Sequence, residues 1–435
     1  MDPTLAKSSA QLGIKLDHTA KWQYIPGDTI IGHVHRTAHG IAPEAKVSVT
    51  IHGHSKSRIK IRSGQSERRY ESSFNCLSGP VDTQILHANA PLHIPEGSDG
   101  FSWPFAIEIP AAVRDARRES QKKHFSSPGG VDAAALFPPP GSFTHAGESY
   151  LQGEKAKAFI EYYVQAKIEI SHQYRGRTVK NYQTATAPFK LKNATLGPPV
   201  TDFNMKPYGR RHSVLAYKLV PGVGELSFTQ KTRQTFSSSK VPSLTFNLII
   251  YLPSKLQIGN MNLIPLKLNI EPINTSTSEL IHDIPQQVLI QSISLRLKPR
   301  TLVQAEKHRA SKSATEVTLI SPTAILALGR EISITVTPGA GATAPPPLRL
   351  GEILDFRMRS RVHPSFKTYN VNRCYELIWQ VEGVVAGERF KLGSTHSVEV
   401  LPEAFELGGG GGEVLPEYNA SMDVEELPWF AYHEI

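Results

Sequence analysis

The chain has 435 residues, and its 48 basic and 39 acidic residues give a formal charge of +9 at pH 7. This length is enough for two or three domains of about 100–200 residues, each with its own core. A charged fraction of 20% argues against a wholly disordered chain. The two cysteines, Cys76 and Cys374, exclude a disulfide scaffold and fit no zinc-site spacing. We expect both to be reduced, as in the cytosol.

The start of the chain has no apolar segment typical of a secretory signal peptide. No stretch approaches the roughly 18 consecutive apolar residues of a membrane-spanning helix. We therefore expect a soluble, intracellular protein. The glycosylation sequons at Asn193, Asn274 and Asn419 are interpreted as chance matches.

The charge is distributed unevenly along the chain. Residues 402–435 contain eight acidic residues and no Lys or Arg, so this tail carries −8 and residues 1–401 carry +17. The acidic residues are Glu403, Glu406, Glu413, Glu417, Asp423, Glu425, Glu426 and Glu434. This charge distribution is informative about binding partners and not about the fold.

The predicted elements are strands from one end of the chain to the other. Early segments alternate apolar and polar residues, which is typical of a strand with one buried face: 46–51, 58–62 and 166–170. Later runs are more continuously apolar and fit central strands of a sandwich: 244–251, 288–297 and 332–336. The 32 Pro and 32 Gly residues interrupt these runs at short intervals. Short strands with frequent turns predict β-sandwiches rather than βαβ units.

Helical signal is scarce. Residues 111–124 are highly charged and predict at most a solvated surface helix. They overlap a predicted insertion loop, 114–141. A Pro/Gly-rich junction follows at 196–211, and a second Pro/Gly-rich loop at 338–347 joins two predicted strands. Five glycines, at 408–412, predict a flexible linker before the acidic tail.

Several first-half segments resemble the arrestin-like N-terminal domain in its broad fungal form. They begin with YIPGDTIIGHV at 24–34, an alternating strand after a Pro-Gly-Asp turn. The others are 47–53, ending in His-Gly, 70–74, GFSWPFAIEIP at 100–110, PGSF at 140–143, and IEYYVQAKIEI at 160–170. The order and approximate spacing of these six segments follow the family.

The same residues have a structural explanation. Pro26 presets φ, Gly27 permits an unusual backbone, and Asp28 can bond a neighbouring backbone amide. Alternation predicts Ile30, Gly32 and Val34 on one face with Ile31 on the other, and Trp103 and Phe105 inside the sandwich. We interpret the signature residues as fold-specifying: Tyr24, Pro26, Gly27, Asp28, Gly32, Trp103, Pro104, Phe105 and Tyr163.

The resemblance implies an all-β protein of two tandem immunoglobulin-like β-sandwich domains, the arrestin fold, with a flexible acidic C-terminal tail. For the second half it implies only the architecture and no individual residues. We assign 1–195 to the first domain, with the insertion 114–141, 196–212 to a linker, 213–401 to the second domain, and 402–435 to the tail.

Catalytic signatures are absent from the sequence, and we expect no enzymatic activity, cofactor or metal. His33 with His35 and His52 with His54 have a metal-like spacing, with both rings of each pair facing one side of a strand. No partner carboxylate or histidine is evident, so we interpret them as partly exposed strand histidines. Cys76 has no identifiable base and is interpreted as a buried, inert thiol.

Basic clusters predict a positive surface. On one strand, Arg58, Lys60 and Arg62 alternate with Ile59 and Ile61. The other members are Arg68 and Arg69 in the same hairpin, the insertion group Arg114, Arg117, Arg118, Lys122 and Lys123, and the hairpin group Arg175, Arg177 and Lys180. They are either an ordinary solvated face or a surface for anionic lipid or acidic or phosphorylated cytosolic tails. Nucleic acid is the poorer interpretation, since no recognition pattern accompanies the charge.

The tail contains Leu415-Pro416-Glu417-Tyr418, which resembles the PY motifs that dock on WW domains, with Leu415 replacing the first proline. Such a motif presents a short polyproline-II segment and a tyrosine to an aromatic groove. In the fungal arrestin-related adaptors it recruits a HECT-type ubiquitin ligase. Alternatively the motif is incidental, or the −8 tail folds back on the +17 body. Docking of the tail and WW recruitment would then form an autoinhibitory switch.

The leading hypothesis is a non-enzymatic arrestin-like adaptor. It would bind cytosolic parts of membrane transporters or receptors, link them to ubiquitin-ligase-dependent endocytosis and sorting, and act in the cytoplasm at the plasma membrane or endosomes. The alternative is an arrestin-fold structural subunit of a coat or retromer-like sorting complex without a ligase link. A β-sandwich enzyme or carbohydrate binder would need clustered carboxylates or aromatic residues, which the sequence does not display.

Overall fold

A computed structural model describes residues 4–9, 11–17, 23–63, 65–77, 83–114, 125, 136–149, 154–175, 177–223, 241–339, 345–360 and 362–405. Strands dominate these ranges, and the prediction of an all-β sandwich protein is confirmed. Within the same ranges α-helix is confined to two single turns, α1 (Ala324–Ala327) and α2 (Leu350–Ile353). Short 3₁₀ helices span Tyr217–Leu219, Asn274–Ser276 and Glu279–Ile281. None of the helices in this part of the chain has the length and apolar composition to cross a bilayer.

The described residues of the first half form twelve strands. They are β1 (Gly13–Leu16), β2 (Thr29–Arg36), β3 (Gly40–Ser63), β4 (Ser66–Asn75), β5 (Gln84–Ile94), β6 (Phe101–Glu108), β7 (Val113–Arg114), β8 (Leu136–Phe137), β9 (Phe143–Ser149), β10 (Glu154–Tyr174), β11 (Arg177–Phe189) and β12 (Ala194–Leu196). One sheet has the order β1-β2-β6. A larger sheet has the order β11-β10-β3-β4, with β5 also paired to β3 and β9 to β10, while β7 pairs with β8.

The described residues of the second half form another twelve strands. They are β13 (Met205–Leu215), β14 (Ser243–Pro253), β15 (Lys255–Gln257), β16 (Lys267–Pro272), β17 (Gln286–Ala305), β18 (His308–Ser313), β19 (Val317–Ile320), β20 (Ile332–Val336), β21 (Phe366–Lys367), β22 (Val371–Val385), β23 (Glu388–Leu401) and β24 (Glu403–Phe405). One sheet has the order β13-β14-β16. The other has the order β15-β23-β22-β17-β18, with β19 and β20 paired to β17 and β21 to β22. Parallel pairing of β12 with β24 joins the two halves.

Buried apolar side chains form two separate cores. The first lies between the sheets of the first half and the second between the sheets of the second half. Strict alternation produces them: along β22 every second residue from Val371 to Val385 is buried. Val303, Ala305 and Val371 of the second half pack into the first core. The two halves therefore share apolar contacts in addition to the β12–β24 pairing.

The Pro-Gly-Asp turn before β2 has the geometry that its residues predict. Gly27 has φ +91°, in the left-handed region that favours glycine. The Asp28 carboxylate accepts the N–H of Ile25 at 2.9 Å, and the Gly27 N–H donates to Ile109 O at 2.9 Å. The turn thereby fixes the start of β2 against the end of β6.

The remaining signature residues specify close packing in the first core. Ile30 and Val34 are fully buried whereas Ile31 is exposed, and Trp103 and Phe105 are buried while Pro104 faces outward. At Gly32 a Cβ atom would lie 2.5 Å from a backbone oxygen of β1, so only glycine permits this spacing of β1 and β2. Tyr24 packs edge-on against Phe189 at 5.5 Å between ring centroids.

Two segments differ from the prediction. Strand β13 begins at Met205, inside the predicted linker 196–212. Its prolines and glycines suggested a break, but Pro207 and Gly209 lie in a strand that pairs with β14 throughout. Of the predicted surface helix 111–124, the described residues 111–114 form a bend and strand β7. The predicted glycine linker, the Leu415–Tyr418 motif and the acidic tail from 406 onward lie outside the described residues.

Candidate binding surface

Strands β3, β4 and β10 share a broad face with basic side chains. In the register of the sheet Arg58 lies opposite Lys157, Lys60 lies opposite Lys155 and Arg69, and Arg62 lies opposite Glu67. Directly opposed residues on antiparallel strands project to the same side. The structure therefore places six cations together, which we call the basic face: Arg58, Lys60, Arg62, Arg69, Lys155 and Lys157.

Among the described side chains, two carboxylates pair with cations of the basic face. Glu71 contacts Arg58 Nε with Oε1 at 2.6 Å and Arg69 at 2.5 Å, and Glu67 Oε1 lies 2.6 Å from Lys60 Nζ. Burial raises the pKa of Glu71, but hydrogen bonds from Arg69 and Arg58 outweigh it and hold the pKa below its usual value. The Lys60 hydrogen bond likewise lowers the pKa of Glu67. Both acids are ionised at neutral pH, so cations outnumber carboxylates among the described side chains of the basic face.

Arg58 is positioned differently from the other cations of this face. Its residue exposure is only 8%, whereas Arg62, Arg69, Lys155 and Lys157 are exposed. The guanidinium of Arg58 is thus held against Glu71 by the sheet. The exposed cations around it are the groups that an anionic partner can reach.

The predicted positive surface is divided in the structure. Arg68 lies opposite Ile61, on the other side of the sheet from Lys60. Arg175, Arg177 and Lys180 lie at the far end of the β10–β11 hairpin, up to about 60 Å along β10 from Lys157. The side chains of the insertion group at 114–123 lie outside the described residues.

Lys155 and Lys157 were not singled out from the sequence. A signal was present, because both alternate with small apolar residues in EKAKAFI at the start of β10. The sequence does not specify the β3–β10 register, which places Lys155 beside Lys60 and Lys157 beside Arg58. This pairing spans nearly a hundred residues of chain.

The histidine pair on β3 forms an aromatic row with Tyr163. Ring centroids of His52 and His54 lie 6.1 Å apart, and Tyr163 stacks on them at 5.1 and 5.8 Å. Burial lowers the pKa of both histidines, and the charge of Lys56 lowers that of His54 further. Both rings are therefore neutral at pH 7. Across the described residues no group of three or more His, Cys, Asp or Glu side chains is arranged to hold a metal ion.

Of the other residues considered for chemistry, His33 and Cys76 contact groups that explain them structurally. His33 Nδ1 lies 3.5 Å from Asp17 Oδ1 at a half-exposed position. Cys76 packs against the first core, and burial raises the pKa of its thiol to about 12. A thiol with that pKa is protonated at neutral pH and is a poor nucleophile.

A buried hydrogen-bonded joint connects the halves directly behind the basic face. Ser57 Oγ donates to Gln304 O at 2.6 Å, and Ser55 Oγ lies 2.9 Å from Thr368 Oγ1. Asn370 Nδ2 donates to Ser55 O and to Ser57 Oγ, both at 3.0 Å. Uncharged groups thus satisfy one another here without the desolvation cost of an ion pair.

Aromatic contacts extend this joint on one side. The Phe143 ring lies 4.8 Å from Phe366 and 5.4 Å from His363, centroid to centroid, and the Arg373 guanidinium lies 6.0 Å from it. Arg373 Nη1 also donates to Thr301 Oγ1 at 2.7 Å. Polar and aromatic contacts together hold the first half on β17 and β22 of the second.

No protein-family model and no curated protein matches this chain.

Proposed function

We propose that the protein is a non-enzymatic adaptor of the arrestin-like type. It binds acidic or phosphorylated cytosolic segments of membrane transporters or receptors through the basic face and links them to ubiquitin-ligase-dependent endocytosis and sorting. The cluster of exposed cations on a continuous sheet face is the observation that carries the binding step. The resemblance of six first-half segments to arrestin-like domains supports the adaptor role.

The architecture suits a binding platform. The basic face lies on long strands that are part of the first core, and the joint behind it fixes the second half. Because the sheet already fixes the backbone beneath these cations, binding of an acidic segment has to order only their side chains. In this proposal the Leu415-Pro416-Glu417-Tyr418 motif recruits the WW domains of a HECT-type ligase, and the protein associates peripherally with the plasma membrane or endosomes.

The binding step is tested with an Arg62→Glu/Lys157→Glu variant. Each cation near an anionic surface contributes about 1 kcal/mol, so affinity for a multiply phosphorylated peptide should fall by about 30-fold or more at low salt. A Lys255→Glu/Lys267→Glu variant is the matched control, because it changes the charge equally at exposed positions of the second half. Equal losses of affinity in both variants would show that the net charge of the protein, and not the basic face, determines binding. Binding of the same variants to phosphatidylserine vesicles, measured in parallel, shows whether the basic face binds a lipid surface instead.

The ligase link is tested separately. A pull-down with isolated WW domains should depend on Pro416 and Tyr418, and proximity labelling with Tyr418→Ala should lose the ligase but keep the membrane cargo. If the pull-down shows no such dependence, the alternative function gains support: an arrestin-fold subunit of a coat or retromer-like sorting complex, in which the motif is incidental.

A further inference from the structure

The aromatic row of His52, His54 and Tyr163 lies on the same side of the sheet as the basic face. Residues two apart on a strand share a side, so His54 and His52 point to the side of Arg58 on β3. Tyr163 lies directly opposite His52 in the register of β3 and β10 and projects to that side as well. The basic face and the aromatic row are therefore two parts of one continuous surface.

The aromatic row presents uncharged ring surface to solvent. Each of its three rings is only half-buried, and Pro188 of β11, which lies opposite Tyr163, is exposed beside them. Burial lowers the pKa of His52 and His54, so both imidazoles are neutral at pH 7. An apolar side chain of a partner can cover this surface without taking a charged group out of water.

An ion pair lies between the aromatic row and the basic face. Lys56 Nζ is 2.5 Å from Glu161 Oε1, and Thr4 donates both its backbone N–H and its hydroxyl to the Glu161 carboxylate at 2.6 Å. Glu161 lies opposite His54, so this carboxylate borders the aromatic row. A partner's acidic group is repelled by Glu161 at this end of the surface and attracted by the exposed cations at the other end.

The rise of the strands sets the distance between the two parts of the surface. Lys157, an exposed cation of the basic face, precedes Glu161 by four residues on β10, which is about 14 Å. Tyr163 is six residues, or about 20 Å, from Lys157. An extended partner that lies along β10 has nearly the same rise per residue. Its groups for the two parts are therefore about four to six positions apart.

We propose that the segments bound by the basic face carry an aromatic residue about four to six positions from their acidic or phosphorylated cluster, and that this residue packs on the aromatic row. The segment lies extended along β3 and β10, with its anions over the exposed Arg62, Lys155 and Lys157. This inference rests on the proposed function. It adds a sequence requirement, because attraction at one end and repulsion by Glu161 at the other select one arrangement of groups.

Two synthetic peptides of identical composition test the inference on the full chain. Each contains a run of glutamates and a single tryptophan, which lies about five positions from the run in the spaced peptide and inside the run in the compact peptide. The spaced peptide should bind about 10-fold more tightly at low salt, measured by fluorescence anisotropy, because only its aromatic ring reaches the aromatic row. Equal affinities of the two peptides would overturn the inference.

Variants of the aromatic row assign the gain in affinity to its rings. Tyr163→Ala should abolish the advantage of the spaced peptide, whereas Tyr163→Phe, which keeps the ring, should retain it. Tyr182→Ala is the matched control, because Tyr182 is an exposed tyrosine opposite Glu169 on the same side of the sheet. The thermal midpoint checks folding, and His52→Ala/His54→Ala repeats the test if Tyr163→Ala unfolds the protein. An advantage that survives in the folded variants would overturn the inference.

The charge variant distinguishes a failure of this inference from a failure of the proposed function. Arg62→Glu/Lys157→Glu should weaken the binding of both peptides by a similar factor, because both contain the same acidic run. If neither peptide binds less tightly to this variant, the basic face is not the binding site and the proposed function fails. If both bind less tightly but have equal affinities for the wild-type protein, the proposed function stands and the aromatic requirement is refuted.

Discussion

Replacing Asn370 by alanine should uncouple the two halves. The Asn370 side chain is fully buried and makes five hydrogen bonds in the joint. Each contributes a net 0.5–1.5 kcal/mol, but Ser55 and Ser57 hydroxyls keep other partners, Thr368 and Gln304. We therefore expect Asn370→Ala to lower the free energy of unfolding by about 3 kcal/mol.

Chemical denaturation followed by tryptophan fluorescence measures this loss. The wild-type halves should unfold together, and the variant should show two separate transitions because the joint no longer couples them. Asn262→Ala is the control, since Asn262 is exposed and its amide makes a single bond to Val200 O. It should change stability by no more than about 0.5 kcal/mol. A loss below about 1 kcal/mol in Asn370→Ala, with one transition, would refute the assigned role of the joint.

Two further predictions concern the first half. Burial, and then the charges of Arg373 and Lys312, lower the pKa of His145 from 6.5 to about 4. As the pH falls, His145 therefore takes up a proton in the unfolded protein before it does so in the folded protein. The free energy of unfolding should reach its full value above pH 6.5 and fall by roughly 1–2 kcal/mol toward pH 4 because of this half-buried ring. His145→Gln should flatten this part of the pH dependence of the free energy of unfolding. Gly32→Ala places a methyl group 2.5 Å from a backbone oxygen and should cost about 1–3 kcal/mol, measured by thermal unfolding. Gly40→Ala, whose nearest neighbour is Arg36 Nη2 at 3.4 Å, should cost clearly less; an equal loss would contradict the steric reason.

Local chemistry made part of the fold predictable. The turn at Gly27 and Asp28 and the alternation of Ile30 with Ile31 depend on neighbouring residues only, and the structure has both features. Pro207 illustrates the limit of such local signals. It suggested a break in the chain, but a proline on an outward-facing strand position costs no ladder bond.

The candidate site was predictable only in part because it depends on register and on contacts between distant segments. Alternation set Arg58 and Lys60 on one face, but pairing with β4 sent Arg68 to the other face. Alternation puts Ser55 and Ser57 on the same side of β3 as Ile59 and Ile61, but it does not show what covers them. They are buried because Asn370, more than three hundred residues away, covers them.

Strand β3 places the basic face and the joint on opposite sides of a single backbone. Arg58 and Ser57 are consecutive residues, one paired with Glu71 and the other bonded to Gln304 of the second half. A partner that bends β3 at Arg58 would therefore also distort the hydrogen bond from Ser57 to Gln304, because the two residues are joined by one peptide unit. The basic face and the joint are therefore connected through adjacent residues of one strand, without any intervening loop.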